Sequence, residues 1–288
     1  MGLVVENAID LHCHFGPDSL GTTKTAFDDA AISPIAAARE AKACGHCAMV
    51  LKSHSFASPQ VAAAVDAEVS GIRVFGGICT DNFTGGVNPD AVGAALAMGA
   101  RIVWLPTVHA RRDQPRDSAQ GLDPGLAVID ETGRPTEAVK AVVDLVRSYD
   151  AILATGHTTA QEHYVVAREF AKDCPVLVTH AGEPLAGPRL TGEQCRELAD
   201  LGAVIEFTAL TCDPVFGHQG KSPLEQARMI HAVGHERCTL GSDYGWGSDY
   251  THPAAGMKRF FERLWDVGVS EAALAHMAAA KPAELLRL

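Results

Sequence analysis

Eight short apolar runs, each closing on polar or titratable groups and separated by helical patterns, constrain what this chain can fold into. They are Ala8–Phe15, Ala48–His54, Gly71–Thr80, Ala100–His109, Asp150–His157, Cys174–Gly182, Gly202–Leu210 and Cys238–Trp246. Between them, Ser33-Pro34, Ser58-Pro59, Asn88-Pro89 and Ser222-Pro223 open helical stretches. A Ser or Asn there can cap free amides, and Pro at the first helical position loses no hydrogen bond. Thr136, Thr159, Thr191 and Ser270 read as further caps, and Gly45, Gly71, Gly99 and Gly234 as left-handed C-terminal stops. Apolar strands alternating with helices predict a parallel sheet. Eight such units predict an α/β chain closed as a (β/α)8 TIM-type barrel, one domain over residues 1–288. No dinucleotide fingerprint or P-loop follows the first run, which weakens an open doubly wound sheet.

The loops are unequal. Segments 15–32, 79–88, 109–135, 181–190, 209–221 and 244–256 follow strand ends and are long, whereas most segments after helices are short. In barrels the C-terminal face carries the site, so the long loops fall on the expected side. In the longest, Gly125–Pro135 is expected to form a small hairpin over the barrel mouth.

Composition narrows the partners. Hydrophobic residues make up 47% and charged residues 20%, enough apolar surface for a sizeable core. The formal net charge is −11 with no basic run, which argues against nucleic acid and against an anionic membrane surface. The eight cysteines are scattered and form no disulfide framework; Cys44 and Cys47 are the one close pair, across a helix-to-strand turn. With no basic leader and no apolar run of about 18 residues, the expectation is a soluble cytoplasmic protein with a small-molecule partner. Homo-oligomerisation stays open.

The strand ends carry the chemistry. In the first run, His12 and His14 are two apart and share a face of a strand. Lys52 and His54 close the second run, Thr107 and His109 the fourth, His157 the fifth and His180 the sixth, and Asp243 stands at the end of the eighth. Any one of these is commonly structural. Several imidazoles and a carboxylate at the same end of separate barrel strands are the donor set of a divalent metal. Lys52 shares parity with Val50 and His54 and so points into the barrel, where a cation is costly unless paired or neutral. Three readings follow: a carboxylated lysine bridging two ions, a cation that polarises or grips the substrate, or an ion pair with Asp10 or Glu206. His54, His109 and Arg111 are candidate substrate contacts, with Arg112 and Arg116 on the same loop as Arg111. Tyr244, Trp246 and Tyr250 could wall a ligand or pack under a lid.

The motifs DLHCHFGPD, VLKSH, ATGHTT, VTHAG and LGSDYG, in this order and spacing, resemble the amidohydrolase superfamily of metal-dependent hydrolases. The likeness runs to the closing Lys281–Leu286, which resembles that superfamily's terminal helix. It implies a distorted barrel holding one or two divalent ions, zinc first with manganese or iron as alternatives. Residue by residue, it makes His12 and His14 the strand 1 ligands, His157 and His180 the strand 5 and strand 6 ligands, and Asp243 the strand 8 ligand. The phosphotriesterase-like branch is nearest in size and ligand order. Binuclear members take a bridging Lys or Glu from strand 4, and RIVWLPTVH offers neither; Lys52 on strand 2, if carboxylated, would substitute, and otherwise a single-metal site follows with His180 acting on the substrate. More narrowly, the chain resembles a group of small bacterial members, which names no substrate.

The function expected is hydrolysis of an amide, cyclic amide, lactone or ester, with Asp243 and Lys52 as catalytic groups and Asp243 as proton shuttle. A metal-dependent decarboxylase and a phosphoesterase are the alternatives within this chemistry. A metal-binding scaffold without turnover is the alternative outside it.

Overall fold

The computed structural model describes residues 5–17, 31–111, 125–184, 186–213, 220–245 and 252–288. Eight strands, β1 (Ala8–His14), β2 (His46–Lys52), β3 (Arg73–Cys79), β4 (Ala100–Trp104), β5 (Ile152–Ala154), β6 (Val176–Val178), β7 (Val204–Thr208) and β8 (Cys238–Gly241), lie in sequential order. Each is parallel to the next. The seam between β8 and β1 is joined just past the strands, where Asp243 N donates to His12 O (2.8 Å) and His14 N to Tyr244 O (2.9 Å). This is the (β/α)8 barrel that the alternation of runs predicts.

The surrounding helices are α1 (Pro34–Ala43), α2 (Pro59–Glu68), α3 (Pro89–Ala97), α4 (Glu137–Ser148), α5 (Ala160–Phe170), α6 (Gly192–Asp200), α7 (Pro223–Val233) and α8 (Pro253–Asp266), followed by α9 (Glu271–Ala275) and α10 (Lys281–Leu286). The expected caps form at Ser33, Asn88, Thr136 and Ser270. Thr159, Thr191 and Ser222 form full capping boxes with Glu162, Gln194 and Glu225. Ser58 departs from expectation. It is buried between two strands, so its Oγ donates to Leu51 O (2.6 Å) and accepts from Gly77 N (3.0 Å) instead of capping α2. Gly45, Gly71, Gly99 and Gly234 all take positive φ.

Strand parity sorts the core into two layers. Met49 and Leu51 of β2 face outward onto Ala37, Ala38 and Ala41 of α1 and Ala62 and Val65 of α2. Val50 faces inward, packed with Leu11, Phe75, Ile102, Trp104, Ile152 and Leu177. Leu285 and Leu286 of α10 join this inner cluster, so the closing helix contributes directly to the barrel interior. Full burial of each such side chain stabilises by about 1.5–3 kcal/mol relative to exposure.

Several strands end sooner than the apolar runs suggest. β5 stops at Ala154, β6 at Val178 and β8 at Gly241. The chain leaves the sheet there because Gly156 (φ +67°), His180 (φ +28°) and Asp243 (φ +59°) turn it. The Gly125–Pro135 segment does fold back on itself: Ile129 bridges Pro135, and Asp130 N donates to Arg134 O (2.8 Å). Its Val128 and Ile129 are buried in the outer apolar layer with Val139 of α4.

Gly77 makes room for the largest interior side chain. A Cβ at this position would stand 2.4 Å from the Trp104 ring and 2.6 Å from Ile102 O, and the ladder to β4 shifts register there. We expect Gly77→Ala to lower the free energy of unfolding by about 1–3 kcal/mol through overpacking, read from chemical denaturation. An unchanged midpoint would contradict this packing.

Candidate metal centre

β1 breaks its own alternation to deliver two histidines. Ile9 and Leu11 belong to the inner cluster and Cys13 to the outer one, so parity switches between Leu11 and His12. The ladder to β2 is irregular between Asp10 and Cys13. Asp10 holds the irregularity: its Oδ1 accepts from His12 N and from Ser242 N, each at 3.0 Å. His12 and His14 both come to face the barrel axis, as the His-x-His spacing predicts.

Five imidazoles form a ring around that axis. Successive ring centroids are 5.3 Å apart for His12–His14, 4.8 Å for His14–His54, 6.0 Å for His54–His157, 4.7 Å for His157–His180 and 5.7 Å for His180–His12. All five residues are buried. Burial pushes His14 down to about 4 and His180 to about 3, and His54 falls well below its ordinary value for the same reason. At neutral pH these three therefore offer lone pairs.

His12 sits between two carboxylates. Its Nδ1 is 2.9 Å from Glu206 Oε2, and its Nε2 is 2.9 Å from Asp243 Oδ1, which is also 3.2 Å from His14 Nε2. Burial pulls the His12 pKa down, but Asp243 and Glu206 together outweigh it against the opposing Lys52, and the result is a rise to about 9. For Asp243 and Glu206, burial works upward and His12 outweighs it, so both stay below the carboxylate range. With the Nδ1 proton given to Glu206, Nε2 and Asp243 Oδ1 would face each other as two lone pairs. Such a contact needs a cation between them.

A metal ion fits this donor set. Ligand atoms each about 2.0–2.2 Å from one ion stand roughly 2.8–3.6 Å from one another at right-angle to tetrahedral bond angles. The 2.9 and 3.2 Å separations of His12 Nε2, Asp243 Oδ1 and His14 Nε2 are close to that edge. Glu206 supplies the outer carboxylate that a metal-bound histidine ordinarily has on its other nitrogen. Its Oε2 also accepts from His180 N (3.0 Å), tying a second imidazole to the same anchor. Among the described residues His180 Nδ1 is buried without a hydrogen-bond partner.

Lys52 occupies the remaining cation position. Its Nζ is 2.9 Å from His12 Nε2 and 5.6 Å from the Trp104 ring centroid. The expected alternative of an ion pair with Asp10 or Glu206 does not form among the described residues: Lys52 Nζ turns to His12, and Asp10 Oδ2 and Glu206 Oε1 are left buried without a hydrogen-bond partner. A protonated His12 and an ammonium at Lys52 cannot share the Nε2 side, so one cation at a time fits there.

A second group lies beside the ring. His54, Cys79 and Asp81 bring donor atoms within 4.8 Å of one another. Here Asp81 and one nitrogen of His54 are already engaged. Asp81 Oδ1 accepts from Thr107 N and His109 N, each at 2.9 Å, and its Oδ2 accepts from Thr107 Oγ1. His54 Nδ1 is 2.8 Å from Thr107 Oγ1. These atoms form a hydrogen-bond network that fixes the segment after β4.

Of the residues expected to contact substrate, His54 lies in the imidazole ring. His109 stands against Asp81 (3.5 Å) and edge-on to Phe83. Arg111 is bound to the buried Glu162 in the first turn of α5 (3.0 Å). Tyr244 is buried in the outer layer, its hydroxyl donating to Asp213. Arg112, Arg116, Trp246 and Tyr250 lie outside the described residues. The sequence reading missed Asp81 and Trp104. Asp81 stands two positions past β3 and was detectable only as an acid following an apolar run; Trp104 carried no signal beyond its hydrophobicity.

A protein-family model matches residues 7–206. The chain belongs to the family of unknown function DUF6282. No curated protein sequence matches it. Solved structures show which known proteins share the fold of this DUF6282 member. An amidohydrolase from Pseudomonas aeruginosa aligns over 98% of this chain and 96% of its own, with 12% identity and a TM-score of 0.64. A probable 2-pyrone-4,6-dicarboxylic acid hydrolase from Acinetobacter baumannii, with citric acid bound, covers 98% and 100%, with 13% identity and a TM-score of 0.61. A 2,6-dihydroxybenzoate decarboxylase complexed with 2,6-dihydroxybenzoate covers 98% and 100%, with 13% identity and a TM-score of 0.57. The fold expected from the strand-end motifs is therefore the fold found. No helix among the described residues is long and apolar enough to cross a membrane.

The buried neutral histidines carry a pH prediction. His14 and His46 titrate near 4 and His180 near 3, all because of burial, against 6.5 when unfolded. The unfolded chain therefore binds more protons than the native one between pH 6.5 and about 4, and stability falls as pH falls. Each histidine contributes up to about 1.4 kcal/mol per pH unit across that window. A thermal midpoint that stays level from pH 6.5 to 4 would contradict burial of these imidazoles in the neutral form.

Proposed function

We propose that this protein is a metal-dependent hydrolase that cuts an amide, cyclic amide, lactone or ester bond in a small molecule. The observation that supports this most is the approach of His12 Nε2 and His14 Nε2 to Asp243 Oδ1, at 2.9 and 3.2 Å, with Glu206 on the far nitrogen of His12. His12, His14 and Asp243 would hold the ion, with His157 and His180 completing the set on the other side of the ring. Imidazole and carboxylate suit zinc first, then manganese or iron(II). Such an ion supplies Lewis acidity and lowers the pKa of water to about 7.

The chain's own groups do the rest. Asp243 takes the proton of the attacking water and returns it to the leaving group. The His12 imidazole keeps its proton on Nδ1, where Glu206 accepts it, so Nε2 stays a donor of electrons. Lys52 has two roles open to it. As an ammonium it would grip a carbonyl or acid group of the substrate. Standing 2.9 Å from His12 Nε2, it would repel an ion on that nitrogen until it swings away. As a carboxylated lysine it would become an oxygen ligand and admit a second ion. One or two ions follow from which form is present.

One fold relative is a probable 2-pyrone-4,6-dicarboxylic acid hydrolase, and a pyrone is a cyclic ester, which favours a lactone as the first substrate class to test. The decarboxylase relative supplies the competing reading, in which CO2 leaves and no water is consumed. Protein purified without chelator should be assayed on lactones, esters and amides with zinc or manganese added. Asp243→Asn is expected to lower turnover by about 10²–10⁴-fold while keeping most of its ion. A near-normal rate would refute the proton-carrying role of Asp243. Release of CO2 from aryl carboxylates without hydrolysis of any panel member would replace the hydrolase with the lyase.

A further inference from the structure

The hydrogen-bond network beside the imidazole ring fixes one proton with little freedom. Asp81 is fully buried, and its Oδ1 accepts two backbone N–H groups, from Thr107 and His109, at 2.9 Å each. An ionised carboxylate is acceptor-only. Its Oδ2 is in close contact with Thr107 Oγ1, so the single hydroxyl proton of Thr107 points at Asp81. A hydroxyl has no second proton to give. Thr107 Oγ1 must therefore accept from its other neighbour, His54 Nδ1, at 2.8 Å. The proton of a neutral His54 then sits on Nδ1, and Nε2 carries the lone pair. Among the described residues no hydrogen bond occupies Nε2.

We propose that Asp81 and Thr107 hold His54 as the Nδ1–H tautomer, so that Nε2 is a fixed acceptor for an N–H or O–H of the substrate. The proposal rests on the reading that substrate enters this barrel mouth, and it adds what the substrate must offer. The ring is placed for such a contact, with its centroid 4.8 Å from that of His14 and 6.0 Å from that of His157. Free neutral imidazole prefers its proton on Nε2. A side chain left to itself would present a donor here; Asp81, acting through Thr107, turns it into an acceptor. Asp81 and Thr107 are positioning residues and His54 is the group that meets the substrate. A substrate with a primary or secondary amide, or with a hydroxyl beside the scissile bond, satisfies Nε2. A fully alkylated one leaves it unpaired.

The test separates this from the hydrolase reading. In zinc-loaded protein labelled with ¹⁵N-histidine, with His54 assigned through His54→Gln, we expect a protonated Nδ1 and an unprotonated Nε2. Thr107→Ser should keep that pattern and Thr107→Val should lose it. A wild-type His54 protonated on Nε2, or one indifferent to Thr107→Val, would overturn the tautomer assignment. A signature of zinc bound at Nε2 would overturn the acceptor role. Titration with acetamide should move the Nε2 signal, and N,N-dimethylacetamide, which has the carbonyl but no N–H, should not. Equal movement with both, or none with either, would also overturn the acceptor role. Where a hydrolysed substrate is in hand, Thr107→Val should lose about 10–100-fold in turnover and Thr107→Ser should stay near wild type. Failure of every hydrolysis assay with the NMR pattern intact would count against the hydrolase alone.

Discussion

The contact between His12 Nε2 and Asp243 Oδ1 governs the structure around it. These two atoms lie 2.9 Å apart at the place where the last strand meets the first. The backbone leaves them little choice, because Asp243 N donates to His12 O and His14 N to Tyr244 O across the same seam. Closing the barrel brings the pair together, and a positive charge between them stabilises the closure. A proton, the Lys52 ammonium and a divalent ion are the three cations that could lie there. The pull of Asp243 and Glu206 on His12 overcomes its burial and raises its pKa, the direction expected where a positive charge is stabilised.

Backbone strain marks the same spot. His180 and Asp243 are not glycines, yet both have positive φ. Such residues persist when their surroundings over-determine them. His180 is held by its N–H on Glu206, and Asp243 by its N–H on His12 O. The turns that end β6 and β8 early are thus the same turns that aim an imidazole and a carboxylate at the barrel axis. Fold and site share their hydrogen bonds, and a change to Glu206 would be felt in both.

Much of this was legible in the residues. Alternating apolar runs and Ser-Pro or Asn-Pro starts are local signals, and they gave the barrel with its helices nearly in place. The exception at Ser58 is a tertiary effect: two neighbouring strands compete for its hydroxyl, and no local pattern reports that. The His-x-His pair and the later strand-end histidines were readable because period-two alternation and barrel polarity are strong rules. The partners of Lys52 and Glu206 were not. Lys52 was correctly placed on the inner face, but which of several inward polar groups it and Glu206 meet depends on register across the barrel. Asp81 escaped notice because it acts from a loop, through a threonine, on a histidine of the neighbouring strand.

The chemistry of this site depends on a divalent ion lying between these groups. Anomalous diffraction at the zinc edge, from crystals of protein purified without chelator, addresses that directly. The account predicts a peak about 2.0–2.2 Å from His12 Nε2, His14 Nε2 and Asp243 Oδ1. No peak there, with Lys52 Nζ still bonded to His12 Nε2 in fully active protein, would contradict it.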